Sequence, residues 1–190
     1  TPIEETLRAV DDLVHKGMVR YVGCSNFPAW RLMQALWESD RHHLTRLATL
    51  QPHYSLMHRA EYERELESVC STYGLGVIAY SPLAGGFLTG KYRRGAPPPS
   101  PSRGESSQRL QGYMKDERSW ELLEALEKIS QARGKSMSQI ALAWVLNRPS
   151  VTAPIIGPRS VEQLTDNLGA VGVQLEAGDL EILDGLSAWS

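Results

Sequence analysis

Four short apolar runs in this sequence each end on polar groups of a different kind. They read Gly23-Cys24-Ser25-Asn26-Phe27, Gln51-Pro52-His53-Tyr54, Ala79-Tyr80-Ser81-Pro82-Leu83 and Ile156-Gly157-Pro158-Arg159-Ser160. Between them they offer amide groups, a flat aromatic ring, hydroxyls and a guanidinium. In α/β proteins the ligand lies beyond the carboxyl ends of the strands, where a rigid element delivers each side chain. This donor set suits a nucleotide cofactor better than a metal ion or a peptide. The last run carries the most specific signal. Ser160 opens a helix whose free N–H groups and positive dipole end face outward. Arg159 adds a planar cation able to pair with phosphate or stack on adenine. Gln163 and Asn167 lie on one face, four residues apart. Taken by itself, that motif also reads as an ordinary capped helix with a surface arginine.

Other chemistries are argued against by what their motifs lack. Gly85-Gly86-Phe87-Leu88-Thr89-Gly90-Lys91 nearly spells a phosphate-binding P-loop. However, Tyr92 stands where a magnesium-binding hydroxyl is needed, and Arg93-Arg94-Gly95 and prolines come next instead of a helix. No G-x-G-x-x-G comes after any strand, and no Tyr has a Lys four residues later. Gly23-Cys24-Ser25-Asn26-Phe27 lacks the second glycine of a hydrolase elbow, which leaves Ser25 a weak nucleophile. The five histidines His15, His42, His43, His53 and His58 form no pair with metal-ligand logic, so no metal is expected. His42 and His43 read as a solvated helix end, and His53 as either a pocket-lining or a packing residue.

The elements that must position these groups are set by periodicity and end signals. Thr1-Pro2 before Glu4-Glu5 predicts a capped helix, with Ile3, Leu7, Val10 and Val14 on its apolar face and His15-Lys16-Gly17 closing it. Strands are expected at Val19–Cys24, Leu47–Gln51, Gly76–Ser81 and Ala153–Ile156. Helices are expected at Pro28–Glu38, about Glu61–Tyr73, 118–133, 136–147, Ser160 to about Leu168, and Asp179–Leu186. The first three strands start about 28 residues apart, the beat of β-α units with short loops. Residues 82–117 break the beat with Pro97-Pro98-Pro99, glycines, serines and arginines, and read as a long loop, of a length that is usually either a functional lid or disordered. Four strands with at least six helices fit either a doubly wound sheet or half of an eight-stranded barrel. A first helix with no strand before it, in a sequence that begins at Thr1, reads as part of a longer β-α series.

Composition bounds the rest. The 190 residues hold 20 Lys and Arg against 22 Asp and Glu, for a net charge of −2 spread along the chain. No basic stripe points to nucleic acid or a membrane surface. The longest apolar stretches are strand-sized, short of the roughly 20 residues of a membrane helix. The chain is long enough for one sizeable core, so a single domain over 1–190 is expected. Cys24 and Cys70 form no disulfide framework, and no signal peptide is visible. A reducing, cytoplasmic setting is therefore expected.

The sequence closely resembles the aldo-keto reductases. The resemblance is carried by Gly17-x-Val19-Arg20-x-Val22-Gly23-Cys24-Ser25-Asn26-Phe27, Gln51-x-x-Tyr54-Ser55, the run Tyr80-Ser81-Pro82-Leu83-Ala84-x-Gly86-x-Leu88-Thr89-Gly90-Lys91-Tyr92, and Gly157-x-Arg159-x-x-x-Gln163-x-x-x-Asn167-Leu168. Pro-Leu-Ala and Leu-Thr-Gly-Lys-Tyr look like the branch of bacterial reductases and potassium-channel β subunits. The resemblance implies a (β/α)8 TIM-type barrel, of which this chain covers roughly the last four β-α units, and NADP(H) as cofactor. It implies that Ser25, Asn26 and Gln51 hold the nicotinamide carboxamide and that Tyr80 stacks on its ring. Ser81, Leu83, Gly86, Lys91 and Arg103 would surround the pyrophosphate from the 82–117 loop, with Pro82, Ala84 and Gly157 in the same cofactor site. Arg159, Gln163 and Asn167 would take the 2′-phosphate and adenine. The family's Asp, Tyr, Lys and His tetrad falls on strands before this sequence begins, so no catalytic residue is expected here. The resemblance thus implies an NADPH-dependent reductase of aldehydes or ketones, or alternatively a non-catalytic NADP(H)-binding subunit. The expected partners are a small carbonyl substrate and an N-terminal half-barrel or self-association that covers the strand edges.

Overall fold

A computed structural model describes residues 1–189. The chain forms two compact units, Thr1–Pro52 with Ala60–Ile78, and His53–Arg59 with everything from Ala79 onward. The architecture is α/β, with a parallel sheet flanked by helices.

In the first unit, α1 spans Ile3–His15, β1 Gly23–Ser25, α2 Ala29–His42, β2 Thr49–Gln51 and α3 Glu67–Tyr73, and β3 (Gly76–Tyr80) begins there. The α1 helix buries Ile3 and Leu7. Its N-cap is Pro2, and no side chain caps it, so the Thr1 hydroxyl does not play the expected role. Glu4 and Glu5 in the first turn still favour the positive dipole end. A wider π turn at Tyr62–Leu66 leads into α3, so the helix expected from Glu61 is α-helical only from Glu67. β1 pairs in parallel with β2 from Gly23↔Thr49 to Ser25↔Gln51, and β2 with β3 at Thr49↔Gly76 and Leu50↔Val77. The strand expected from Val19 is shorter because pairing begins late: Tyr21 is 81 % exposed, and the first cross-strand bond runs from Ala48 N to Val22 O. Glycine is required at position 23, since a Cβ there would meet the Thr49 carbonyl oxygen at 2.7 Å. Asp11 of α1 accepts hydrogen bonds from the Thr45 N–H at 2.8 Å and the Thr45 hydroxyl at 2.7 Å, which pins the turn after α2.

The second unit contains the end of β3, then α4 Gln108–Lys115, α5 Glu117–Arg133, α6 Met137–Leu146, β4 Ala153–Ile155, α7 Val161–Leu168 and α8 Ala177–Leu186. In the strand order β1-β2-β3-β4, β4 is the neighbour of β3. The segment expected as an open loop, 82–117, differs from expectation. It contains a 3-10 turn at Ala84–Thr89, a second at Arg103–Glu105, and α4. Ser107 caps α4 through the Leu110 N–H, but Gly112 and the polar surroundings hide the helix from a periodicity reading. Other ends follow general capping chemistry, with Ser160 as expected from the sequence. Asp116 caps α5, Ser136 and Gln139 form a reciprocal capping box on α6, and Ser160 caps α7.

The α6 helix is the centre of this unit, with Ile140 through Val145 all buried. Trp144 is fully buried, and its indole N–H donates to Asp184 Oδ1 of α8 at 2.9 Å. Arg148 donates to the same carboxylate, and Arg59 reaches it at 3.2 Å. Both guanidiniums also lie over the Trp144 ring, 4.1 and 5.2 Å from its centroid, and Tyr54 packs against it at 5.4 Å.

Asp184→Ala should therefore cost more than a surface ion pair, because it removes the carboxylate that Trp144, Arg148 and Arg59 share, although Arg59 keeps the Asp184 carbonyl and Ser187 Oγ. A loss of about 2 to 3 kcal/mol is expected in urea unfolding, with Asp184→Asn losing less because it keeps the acceptor for Trp144. The Thr45 hydroxyl and N–H hold Asp11's carboxyl below the usual carboxylate range, with His15 adding to the effect. A carboxyl depressed in the folded state stabilises above its unfolded pKa of about 3.9, and the contribution is lost as pH falls through the folded value. The urea midpoint should fall from pH 5 to pH 3, and Asp11→Asn should flatten that acid limb.

Candidate functional site

The strand-end groups divide between the two units. In the first, the Ser25 hydroxyl donates to the Gln51 carbonyl at 2.8 Å, so the ends of β1 and β2 are tied and the Ser25 lone pairs stay available to a donor. Asn26 next to it is left-handed at φ 56°, a conformation Asn adopts more readily than most side chains. Ser25 and Asn26 are exposed, and Gln51 is half-buried. Cys24 and Cys70 lie in the same unit, and burial pushes both thiols up to about 11, which keeps them protonated and weakly nucleophilic at neutral pH. Glu4, Glu38 and His42 also meet here within 4.8 Å, so His42 does stand at the helix end expected, the last residue of α2, but is half-buried in a cluster instead of solvated. Arg8 donates to the same Glu4 carboxylate at 2.7 Å, which makes the group an ion-pair network.

The second unit contains a cleft of about 510 Å3. It is bounded by the ends of β3 and β4, the 3-10 turn, the segment around Arg103 and the start of α7. Tyr80, Ser81, Pro82, Leu83, Gly86, Lys91, Arg103, Gly157, Arg159, Gln163 and Asn167 all line it. Ala84 does not; it is 3 % exposed and lines a smaller cavity of about 290 Å3 that shares Ser81, Gly85 and Arg103 with the cleft. Ser138 and Asp166 of the cleft wall belong to no motif that the sequence displays. Asp166 accepts from Ser136 Oγ at 3.0 Å and from Gln139 Nε2 at 3.1 Å, so the carboxylate is committed to joining α6 and α7.

The local backbone is specialised for a close approach. Ser81 and Ala84 are left-handed at φ 55° and 50°, and Gly85 and Gly86 continue at 68° and 97°. Left-handed non-glycine residues are uncommon and store strain that the surroundings must hold in place. A Cβ on Gly86 would stand 2.9 Å from Lys91 Nζ, so glycine there lets the lysine lie across the turn. Gly104 backs onto Tyr92 and Pro98, where a Cβ would meet them at 2.6 and 2.9 Å; this packing presents Arg103 to the cleft. At α7, Gln163 Oε1 accepts from the Arg159 N–H at 2.9 Å, which leaves its NH2 group for other acceptors. The space over Gly157 is open.

Electrostatically the cleft is cationic. Among the described residues, no carboxylate forms an ion pair with Lys91, Arg103 or Arg159. Three uncompensated cations beside a helix N-terminus and a flat ring match the donor set of a dinucleotide carrying several phosphates. The Tyr80 ring is backed by His53, stacked at 5.0 Å and 12°, and His53 in turn by His58 at 4.0 Å. His53 is 3 % exposed and lines the smaller cavity, so it both packs and faces a pocket. Arg109 Nη1 lies 3.3 Å from His53 Nδ1. A guanidinium can only donate, so Nδ1 accepts and the ring proton sits on Nε2. No described helix is long and apolar enough to cross a membrane.

A sequence model of the aldo/keto reductase family matches residues 1–188. The chain is 38 % identical over 187 residues to an uncharacterized oxidoreductase, YrpG, of Bacillus subtilis, covering 97 % of the chain and 54 % of that protein. It is 36 % identical over 198 residues to the L-glyceraldehyde 3-phosphate reductase of Escherichia coli, covering 100 % and 57 %. It is also 34 % identical over 174 residues to a probable voltage-gated potassium channel subunit beta of Oryza sativa, covering 91 % and 53 %. The chain thus spans about half the length of the curated relatives it matches.

Proposed function

The chain belongs to the aldo/keto reductase family, and on that premise we propose that it supplies the NADP(H)-holding part of a carbonyl reductase. The observation that carries the reading is the cleft that gathers Tyr80, Lys91, Arg103 and Arg159 with, among the described residues, no carboxylate paired to its three cations. When bound, the reduced nicotinamide supplies a hydride to the carbonyl carbon of an aldehyde or ketone. The chain's own part is to bind and orient. Tyr80, held from behind by His53, offers a flat face for the nicotinamide. Lys91 and Arg103 meet the pyrophosphate, while Arg159, Gln163 and Asn167 meet the adenosine and its 2′-phosphate. The amide-binding role that the resemblance assigns to Ser25, Asn26 and Gln51 belongs to the same proposal. The proton donor is a Tyr of the family's tetrad contributed from outside these residues, and the partner in that case is an N-terminal half-barrel. The likeness to potassium-channel β subunits supports a second reading, a cofactor-binding subunit without turnover.

Cofactor choice should depend on Arg159. Its charge-assisted bonds to a 2′-phosphate contribute on the order of 1.5–3 kcal/mol. Arg159→Ala should weaken NADPH binding by roughly tenfold to a hundredfold in fluorescence titration and leave NADH little changed. Equal losses for both cofactors would assign Arg159 to the adenine or to the fold.

Activity should require the other half. A positioned acid that quenches the developing alkoxide contributes about 10²–10⁴-fold, and the 190 residues carry no such acid at a position matching the family's. NADPH oxidation with 4-nitrobenzaldehyde should be absent for this chain alone and appear when the N-terminal half of a reductase relative is added. Sustained turnover by the chain alone would overturn the assignment. A completed barrel that binds NADPH and reduces nothing would favour the subunit reading.

A further inference from the structure

We propose that the smaller cavity, lined by His53, Arg103, Ser107 and Arg109, is a second anion subsite that holds a phosphate or carboxylate group of the substrate. Its assignment to the substrate rests on the carbonyl-reductase reading above; that it binds an anion does not.

Charge pairing across the second unit identifies it. That unit contains nine arginines. Arg59, Arg93, Arg94, Arg133 and Arg148 face carboxylates, and Arg118 donates to the carbonyls of Gly185 and Leu186 at the end of α8. Among the described residues, the three without a carboxylate or carbonyl acceptor are Arg103, Arg109 and Arg159, and all three line the cleft or the smaller cavity. Arg159 and Arg103 line the cleft, where a dinucleotide would compensate them. Arg109 lines only the smaller cavity, so its charge is not accounted for by the cofactor. Among the described residues its polar contact is with His53 Nδ1 at 3.3 Å, an acceptor that carries no negative charge and so leaves the charge of the guanidinium uncompensated.

The rest of the lining agrees. No acidic residue faces this cavity. The Ser107 hydroxyl stands at the N-terminal end of α4, where the helix dipole favours negative charge. At about 290 Å3 the cavity has room for a small oxoanion and not for a nucleotide. The cavity shares Ser81, Gly85 and Arg103 with the cleft, so an anion held there lies against the bound cofactor and, on the carbonyl-reductase reading, belongs to the molecule receiving hydride. The substrate class is then a short aldehyde or ketone with a phosphate or carboxylate at its far end.

Calorimetry on the 190-residue chain tests this with inorganic phosphate and acetate as probes, each titrated with and without saturating NADP+. Phosphate, acetate or both should bind to the NADP+-loaded chain, and the stronger of the two names the group. Arg109→Gln should weaken that binding about tenfold or more, and Arg109→Lys should retain part of it. Arg109 is exposed, and both variants should melt with the wild type in probe-free buffer. Unchanged affinity in Arg109→Gln, or no binding of either probe, overturns the subsite. Binding that NADP+ abolishes also overturns it, because the cavity would then belong to the cofactor. Absence of heat with NADP+ itself would instead sink the cofactor reading, while the wild-type to Arg109→Gln comparison still decides whether the cavity takes an anion.

Discussion

The Asp184 carboxylate is the interaction on which the second unit depends. It receives the Trp144 indole N–H, Arg148 of the chain just after α6, and Arg59 from a segment far away in sequence. Arg59 also donates to the Asp184 carbonyl at 3.1 Å and to Ser187 Oγ at 2.7 Å. Together with the Tyr54–Trp144 contact, these bonds explain why His53–Arg59 folds with the later part of the chain although its sequence neighbours belong to the first unit. The cost of desolvating charge is offset because one carboxylate serves three donors at once and both guanidiniums lie over an aromatic ring. His53, at the start of the same segment, stacks on Tyr80.

A second constraint is the opposite one: charge left without a partner. A folded chain near neutrality has enough carboxylates to pair its arginines, and most of those in the second unit are paired. Cations left over in a concave site are an electrostatic demand that an anion can meet. Holding them there requires backbone that would otherwise be unfavourable. Left-handed Ser81 and Ala84, the glycine at 86 under Lys91, and the glycine at 104 behind Arg103 are where this unit sustains such geometry. The strain and the unpaired charge coincide, which is the pattern of a binding site and not of a stabilising core.

Most of the element pattern is legible in the sequence because its signals are local. The 28-residue beat, the Ser136 and Ser160 caps, the acids at the start of α1 and the apolar run of α6 all report on residues within a turn or two of one another. The misses have physical causes as well. Thr1 does not cap α1, since Pro2 occupies that position. The β1 strand is shorter than its apolar run because strand length is set by the neighbour that pairs with it. The α4 helix is hidden by Gly112 and polar residues, and its cap at Ser107 is the signal that could have revealed it.

Sequence alone determined the α/β class, the family and the residue types at the four strand ends, because periodicity, capping and motif order are written along the chain. It named Arg159 by its motif and Arg103 through the family resemblance but had no means of naming Arg109, and it left His53 between packing and pocket. Only the tertiary structure decided which arginines find carboxylates, which histidine is buried against Tyr80, and that Ala84 faces the smaller cavity. Ion pairing, stacking and burial depend on distances between groups far apart in sequence, such as the 56 residues separating His53 from Arg109. No local pattern encodes those distances; the packing of α4, α6 and α8 sets them.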